Sequence, residues 1–590
     1  MTTKSANRSL EGICVSPGIG IGRAFVYRKG APAITRRRVA YHLVEDEVER
    51  FLNTLHQARD EIRRIRHLVA SEQGEELAQI FDAQLAMLED PGIKAQTEAL
   101  IRGKYYSAER AYSQTLKKVK EAFGNIENEY LRERVGDIVD IENQVLLRLA
   151  GGEVQALHSL RANTIVLAHD LLPSEMVRLE RRQVKGVILD VGGATSHAAI
   201  IARSLRLPTV VGTGNPSRQV SDGDLVIVDG NAGQVHLRPG VDVERRYRSR
   251  LRRQLRRERA LQTRREFPAI TGDGREIVLM ANVDVSTEVQ VALDYGARGV
   301  GMYRTEFLYL NYRLPSEEEQ LKVYAGLVES LAPHPVVIRT IDLGGDKLSH
   351  VLEAPPEVNP FLGWRGIRIC LDTPDLFKTQ LRALLRAGTH GEVQILLPMI
   401  SSLDELWQAR SLLEEAKDEL RAEGRDFVED CKLGIMVEVP AVALMTDQFA
   451  GEVDFLSLGT NDLTQYALAV DRGTSKVADL YDPYHPAVLR LISMVSEGGR
   501  RAGTPVSICG EMAGDPLATV PLVGLGLEHL SLSPALIPEV KEVIRAITVG
   551  EAETIAADCL EMRTGAEVRR HLERAIGAYL PFWHQGHHRV

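Results

Sequence analysis

Eight short apolar runs, recurring from about residue 275 onward, constrain this chain more than any other feature. They are IVLMANV (277–283), GVGMYRTEF (299–307), PVVIRTID (335–342), VQILLPMI (393–400), KLGIMVEVP (432–440), FLSLGTND (455–462), PVSICGEM (505–512) and HLSLSP (529–534). Helical patterns lie between most of them. A strand covered on both faces reads as a continuous apolar run, and such strands belong to parallel sheets flanked by helices. Eight in succession predict a (β/α)8 barrel. Each run is apolar until its last residues, where polar groups gather.

At 590 residues the chain exceeds what one core can bury, so further domains must precede the barrel. Residues 10–28, LEGICVSPGIGIGRAFVYR, read as short strands broken by Gly and Pro. The GIGIG at 18–22 lacks the spacing of a dinucleotide loop and no helix pattern follows, so its glycines belong to a strand or turn. From about 43 to 150 apolar residues recur at i, i+3, i+4 and i+7, which predicts a helical bundle. Strand-like runs return at TIVLAHDL (164–171), GVILDVGG (186–193), PTVVGT (208–213) and DLVIVDG (224–230). Residues 1–30 and 151–240 therefore form one α/β unit interrupted by the bundle. Eleven arginines in 245–265, with few aromatics, fit a solvated linker helix better than a nucleic-acid or lipid contact.

The net charge of −9 argues against a nucleic-acid partner. The five cysteines (Cys14, Cys370, Cys431, Cys509, Cys559) are scattered and never spaced as CxxC, which speaks against a disulfide framework or zinc site. The N-terminus has no signal-like apolar stretch and no run of about 18 apolar residues occurs, so a cytoplasmic protein without membrane insertion is expected.

Chemistry in such barrels sits at the carboxyl ends of the strands. There the sequence places Arg304 and Glu306 after the second run, and Arg339 and Asp342 after the third. Glu438 ends the fifth, Asn461 and Asp462 the sixth, and Cys509 and Glu511 the seventh, with Arg472 in the loop after the sixth. Arg304, Arg339 and Arg472 offer planar forks for phosphate or carboxylate oxygens. Glu438 and Asp462 offer hard oxygens of the kind that hold Mg²⁺ against a substrate phosphate. Singly, each could serve only a structural ion pair; gathered at the strand ends of one barrel they point to a site for a small acid bearing phosphate and carboxylate. Cys509 reads either as a small buried apolar residue or as a thiol able to protonate a carbanionic carbon.

His197 lies in LDVGGATSHAAIIARSLRLP, at or near a helix start that follows a strand and paired glycines. Exposed N–H groups there favour a phosphate, and an imidazole nitrogen can carry a phosphoryl group. A histidine that merely caps or packs at a helix end fits the local pattern equally well.

GGATSHAAIIARS, MYRTEFLYL, IRTIDLGGDK, NPFLGWRGIRI, EVP, SLGTNDLTQYALAVDR and CGEMAGDP together resemble enzyme I of the bacterial phosphotransferase system, from SPGIGIG to about residue 545. The resemblance implies a swivelling phosphohistidine α/β domain (1–34 and 146–240) and an inserted helical domain (35–145) that docks the phosphocarrier HPr. It further implies a linker helix (241–268) and a phosphoenolpyruvate-binding barrel that dimerises (269–590). His197 would be the phosphohistidine, Arg304 and Arg339 would bind the phosphate, and Asn461, Asp462 and Arg472 would hold the substrate. Glu438 and Asp462 would bind Mg²⁺, and Cys509 would protonate the enolate of pyruvate. Residues 240–268 would be the hinge that lets the histidine travel.

Three positions depart from the family pattern. Ala194 stands where Arg is common before Thr-Ser-His, Met176 where a Thr is often found, and Gln84 where a His is common in the docking module. They bear on the tuning of His197 and on docking contacts. A dikinase would need an ATP-binding domain for which no length is spare. The nitrogen-related branch usually carries a sensory domain ahead of the first strand motif, at which this chain starts, and the sugar branch is favoured. A non-catalytic regulator would not need the full residue set.

Overall fold

The structure is a computed structural model. It describes all residues except 1–7, 28–37, 74–77, 79, 125–134, 151–159, 172, 180–182, 194–198, 200, 203–204, 206, 263–266, 287, 310–313, 345–351, 353–356, 358, 473, 475 and 580–590. The chain divides into two units, one reaching Arg257 and the other running from Glu258.

In the first unit an eight-stranded sheet comprises β1 (Arg8–Glu11), β2 (Ile13–Ser16), β3 (Ile19–Tyr27), β4 (Thr164–Ala168), β5 (Val184–Leu189), β6 (Thr209–Val211), β7 (Leu225–Asp229) and β8 (Gln234–Leu237). Its order is β1-β8-β7-β3-β4-β5-β6-β2. β3 to β6 run parallel to their neighbours in that series, while β7, β8, β1 and β2 join antiparallel. The glycines of GIGIG serve close approach: a Cβ on Gly20 would lie 2.1 Å from the Lys185 carbonyl oxygen, and one on Gly22 2.3 Å from that of Asn163.

Side chains alternate across these strands, and the two faces build separate cores. Val166, Val187 and Leu189 pack with helical residues such as Phe51, Ile62 and Ile141. Ile165, Leu167, Ile188 and Val228 form the other core. The helices Val44–Gln73, Ile80–Glu89, Pro91–Lys104, Ala108–Gly124 and Val135–Leu149 lie between β3 and β4 in sequence, as the helical periodicity predicted. The Arg-rich helix, Val241–Gln262, is not solvated all round. Val243, Tyr247 and Leu251, spaced for one helix face, pack on Ile19 and Ile227, and Arg250 reaches the buried Asp229 at 3.0 Å.

In the second unit all eight apolar runs form strands: β9 (Val278–Val283), β10 (Val300–Tyr303), β11 (Val336–Arg339), β12 (Val393–Leu397), β13 (Lys432–Val437), β14 (Phe455–Leu458), β15 (Val506–Ile508) and β16 (His529–Leu532). They pair in parallel and close into a barrel, β16 meeting β9. Met302, Val337, Leu396, Met436, Phe455 and Cys509 fill a cluster of their own from six different strands or strand ends. Outer helices start on capping boxes, Ser316 with Glu319 and Ser402 with Glu405, which satisfy the first free N–H groups.

Candidate active site

Arg339 is the last residue of β11 and is almost wholly buried. Its Nη2 donates to Glu306 Oε1 at 2.6 Å, and its Nη1 lies 2.8 Å from Asp342 Oδ2. Its Nε is buried without a hydrogen-bond partner among the described residues, a donor that a bound oxyanion could satisfy. Asp342 is shared with Arg365, whose Nη2 donates to both carboxylate oxygens at 2.9 and 3.0 Å and also to Asp462 Oδ2 at 3.3 Å. Arg304, after β10, donates to Asp284 Oδ1 at 2.5 Å. These acidic neighbours hold all three guanidinium groups charged despite burial.

Glu438 follows β13 and is fully buried. Its Oε1 accepts the Met399 N–H at 2.6 Å, and Met399 takes a left-handed φ of 59° to present that group. Burial, and then the charges of Asp342 and Asp462, push its carboxyl well above the ordinary range. Asp462 sits in the first turn of helix Thr460–Leu468, directly after β14. Next to it, Asn461 forms a two-way bridge with Glu511: its Nδ2 donates to Oε1 at 3.2 Å, and its Oδ1 accepts the Glu511 N–H at 2.9 Å. Arg472 Nη1 donates to the same Glu511 oxygen at 2.9 Å.

Cys509 lies just past β15, its Sγ 3.6 Å from the Leu458 carbonyl and its own carbonyl accepting from Asn282 Nδ2 at 2.9 Å. Burial raises its thiol pKa, with the cations Arg339 and Arg304 acting in the opposite sense. The group is thus kept as S–H at neutral pH and within electrostatic reach of Arg304, Arg339 and Glu438.

The structure therefore brings Arg304, Arg339, Glu438, Asp462, Asn461, Arg472 and Cys509 to one end of the barrel. Arg365 and Asp284 escaped sequence reasoning as site groups. Arg365 stands in the quoted stretch NPFLGWRGIRI but at no strand end; a lone bridge from Gly344 brings it to the mouth.

His197 and Ala194 lie outside the described residues. What is described just before them is β5 and its buried Asp190, which accepts from the Ser217 N–H at 3.0 Å and faces His169 Nδ1 at 3.3 Å. Met176 is fully buried in the first unit. Gln84, expected to bear on docking, is also fully buried, with Nε2 donating to Asp140 Oδ2 at 3.1 Å. Any influence on a partner would pass through bundle packing.

A mouth of charged forks, hard carboxylates and a retained thiol is the equipment of an enzyme that handles a small polyanionic acid. Family models agree in class: "PEP-utilising enzyme, PEP-binding domain" matches residues 258–549, the N-terminal model 11–134 and the mobile-domain model 160–233. The chain is 41% identical over 570 residues to the phosphoenolpyruvate-protein phosphotransferase of Bacillus sp. (strain S), covering 96% of this chain and 98% of that protein. It is 39% identical to that of Haemophilus influenzae, covering 96% and 99%, and 40% identical to that of Bacillus subtilis, covering 95% and 98%. The chain belongs to the phosphoenolpyruvate-protein phosphotransferase family.

Proposed function

We propose that this protein takes the phosphoryl group of phosphoenolpyruvate onto His197 and passes it to the histidine of an HPr-like carrier, the first step of a sugar phosphotransferase system. The observation that carries this reading is the barrel mouth, where Arg339, with its unsatisfied buried Nε, stands beside Arg304, Arg365 and the buried Glu438.

Arg304 and Arg339 hold the substrate phosphate, and Asn461, Asp462 and Arg472 orient the rest of the molecule. The remote imidazole nitrogen of His197 attacks phosphorus, the bond to the enol oxygen breaks, and the enolate of pyruvate is left. The Cys509 thiol then gives its proton to the methylene carbon, forming pyruvate.

The donor set suits Mg²⁺. Burial first, and then the charges of Asp342 and Asp462, raise the Glu438 pKa, and a divalent cation would offset the concentrated negative charge. Among the described residues no group of three or more His, Cys, Asp or Glu side chains converges, so substrate and water would have to supply the remaining oxygens. Glu438 and Asp462 would hold it, and when bound it supplies charge neutralisation at the phosphoryl oxygens.

The bundle helices would dock HPr, the barrel would form the homodimer, and the protein would work in the cytoplasm. Among the described residues no helix is long and apolar enough to cross a membrane. The proposed domains are 1–34 with 146–240, 35–145, 241–268 and 269–590, with 240–268 as the hinge. Steady pyruvate release from phosphoenolpyruvate and Mg²⁺ tests the reading. It is expected to require HPr with its acceptor chain downstream; release that needs ATP instead would overturn it.

A further inference from the structure

We infer that a cavity of about 310 Å³ at the amino-terminal end of the barrel strands, opposite the mouth, binds a small monocarboxylate. Ala269 and Ile277 precede β9, Arg298 precedes β10 and His334 precedes β11, which fixes the cavity at that end, and Lys541 closes it from helix Ile537–Ala546. None of these residues belongs to the proposed phosphoryl-transfer machinery.

The lining is divided. Ile277, Leu279 and Ala297 are buried and apolar, whereas Lys541, Arg298 and His334 supply cationic or N–H donor groups. Glu276 also lines it and lies 3.8 Å from Arg298, so the excess positive charge is modest and suits one carboxylate better than a dianion. The Lys541 side chain belongs to a residue only 5% exposed. Burial, then the charges of Arg298 and Arg545, bring its ammonium down to about 8. The volume is at the lower limit for small-molecule sites, which restricts the ligand to a short chain.

One wall is already braced. Arg545 donates from Nη1 to the Pro268 carbonyl at 2.9 Å and stacks over Phe267 with 5.4 Å to the ring centroid. The carboxylate would sit against Lys541 and Arg298, with its aliphatic part on Ile277 and Leu279.

Fluorine NMR of trifluorobutyrate titrated with the full-length protein tests the site. Saturable line broadening is expected, weakened about tenfold or more in Lys541→Met and in Arg298→Gln, the loss typical of one charged hydrogen bond. Arg472→Gln at the mouth should leave it unchanged. Absence of saturable broadening, or broadening lost in Arg472→Gln and retained in Arg298→Gln, overturns the inference. Arg298 is exposed, so its variant decides the matter if Lys541→Met does not fold.

Discussion

Replacing Arg365 by Met keeps most of the side-chain volume and removes every hydrogen bond. Five contacts disappear: Nε to Asp342 Oδ1 at 3.2 Å, Nη2 to both Asp342 oxygens at 2.9 and 3.0 Å, Nη2 to Asp462 at 3.3 Å, and Nη1 to the Tyr466 hydroxyl at 3.4 Å. Asp342 is nearly inaccessible, its side chain 3% exposed, so water cannot replace the lost partner. Breaking a buried pair from one side costs about 3–5 kcal/mol. Arg339 keeps its 2.8 Å contact with Asp342, which places the expected cost near the lower figure, about 3 kcal/mol. For a unit of this size that lowers the melting temperature by roughly 4 °C, measurable by calorimetry of the barrel transition. The double variant Asp342→Asn with Arg365→Met removes the stranded charge and should be less destabilised than the two single effects summed. A melting temperature unchanged in Arg365→Met, or strict additivity in the double variant, would refute the reasoning.

Further outcomes follow from the same geometry. A Cβ on Gly510 would lie 1.9 Å from Thr460 Oγ1 and 2.7 Å from its backbone nitrogen, at the start of the helix bearing Asn461 and Asp462. Gly510→Ala should therefore cost about 1–3 kcal/mol and raise the KM for phosphoenolpyruvate, read by denaturation and steady-state kinetics. Cys509→Ala should slow pyruvate formation by about 10²–10⁴-fold while His197 remains phosphorylatable, and undiminished pyruvate formation would remove the thiol from its role. Because burial raises the thiol pKa, its protonated form persists through neutral pH. Protonation should therefore be lost only on the alkaline side of the ordinary cysteine value, followed by solvent-isotope or burst kinetics. An engineered crosslink immobilising residues 240–268 should block relay between phosphoenolpyruvate and HPr; unchanged transfer would discard the hinge.

Why some of this was legible in sequence and some was not has a physical reason. Parallel strands covered on both faces must be apolar throughout, so runs such as VQILLPMI revealed β12, and the polar residues that end each run revealed the mouth. Arg339 and Glu438 were visible for that reason. Arg365 was not, because it enters on the long connection after β11 and only tertiary structure brings it to Asp342. β8, Gln234–Leu237, is four residues long and follows a tight turn from β7, too short for periodicity to register. Gln84 stands out in sequence only as a departure from the family pattern, and helical periodicity does not reveal that it is buried. Its amide bond to Asp140 belongs to the three-dimensional packing alone.

The relay through His197 is the claim on which the functional account stands, and isotopically labelled phosphoenolpyruvate addresses it directly. With Mg²⁺ and no carrier, wild-type protein should acquire acid-labile label and His197→Ala none, and added HPr should discharge the label. Equal labelling of His197→Ala, or label that HPr cannot remove, would contradict it.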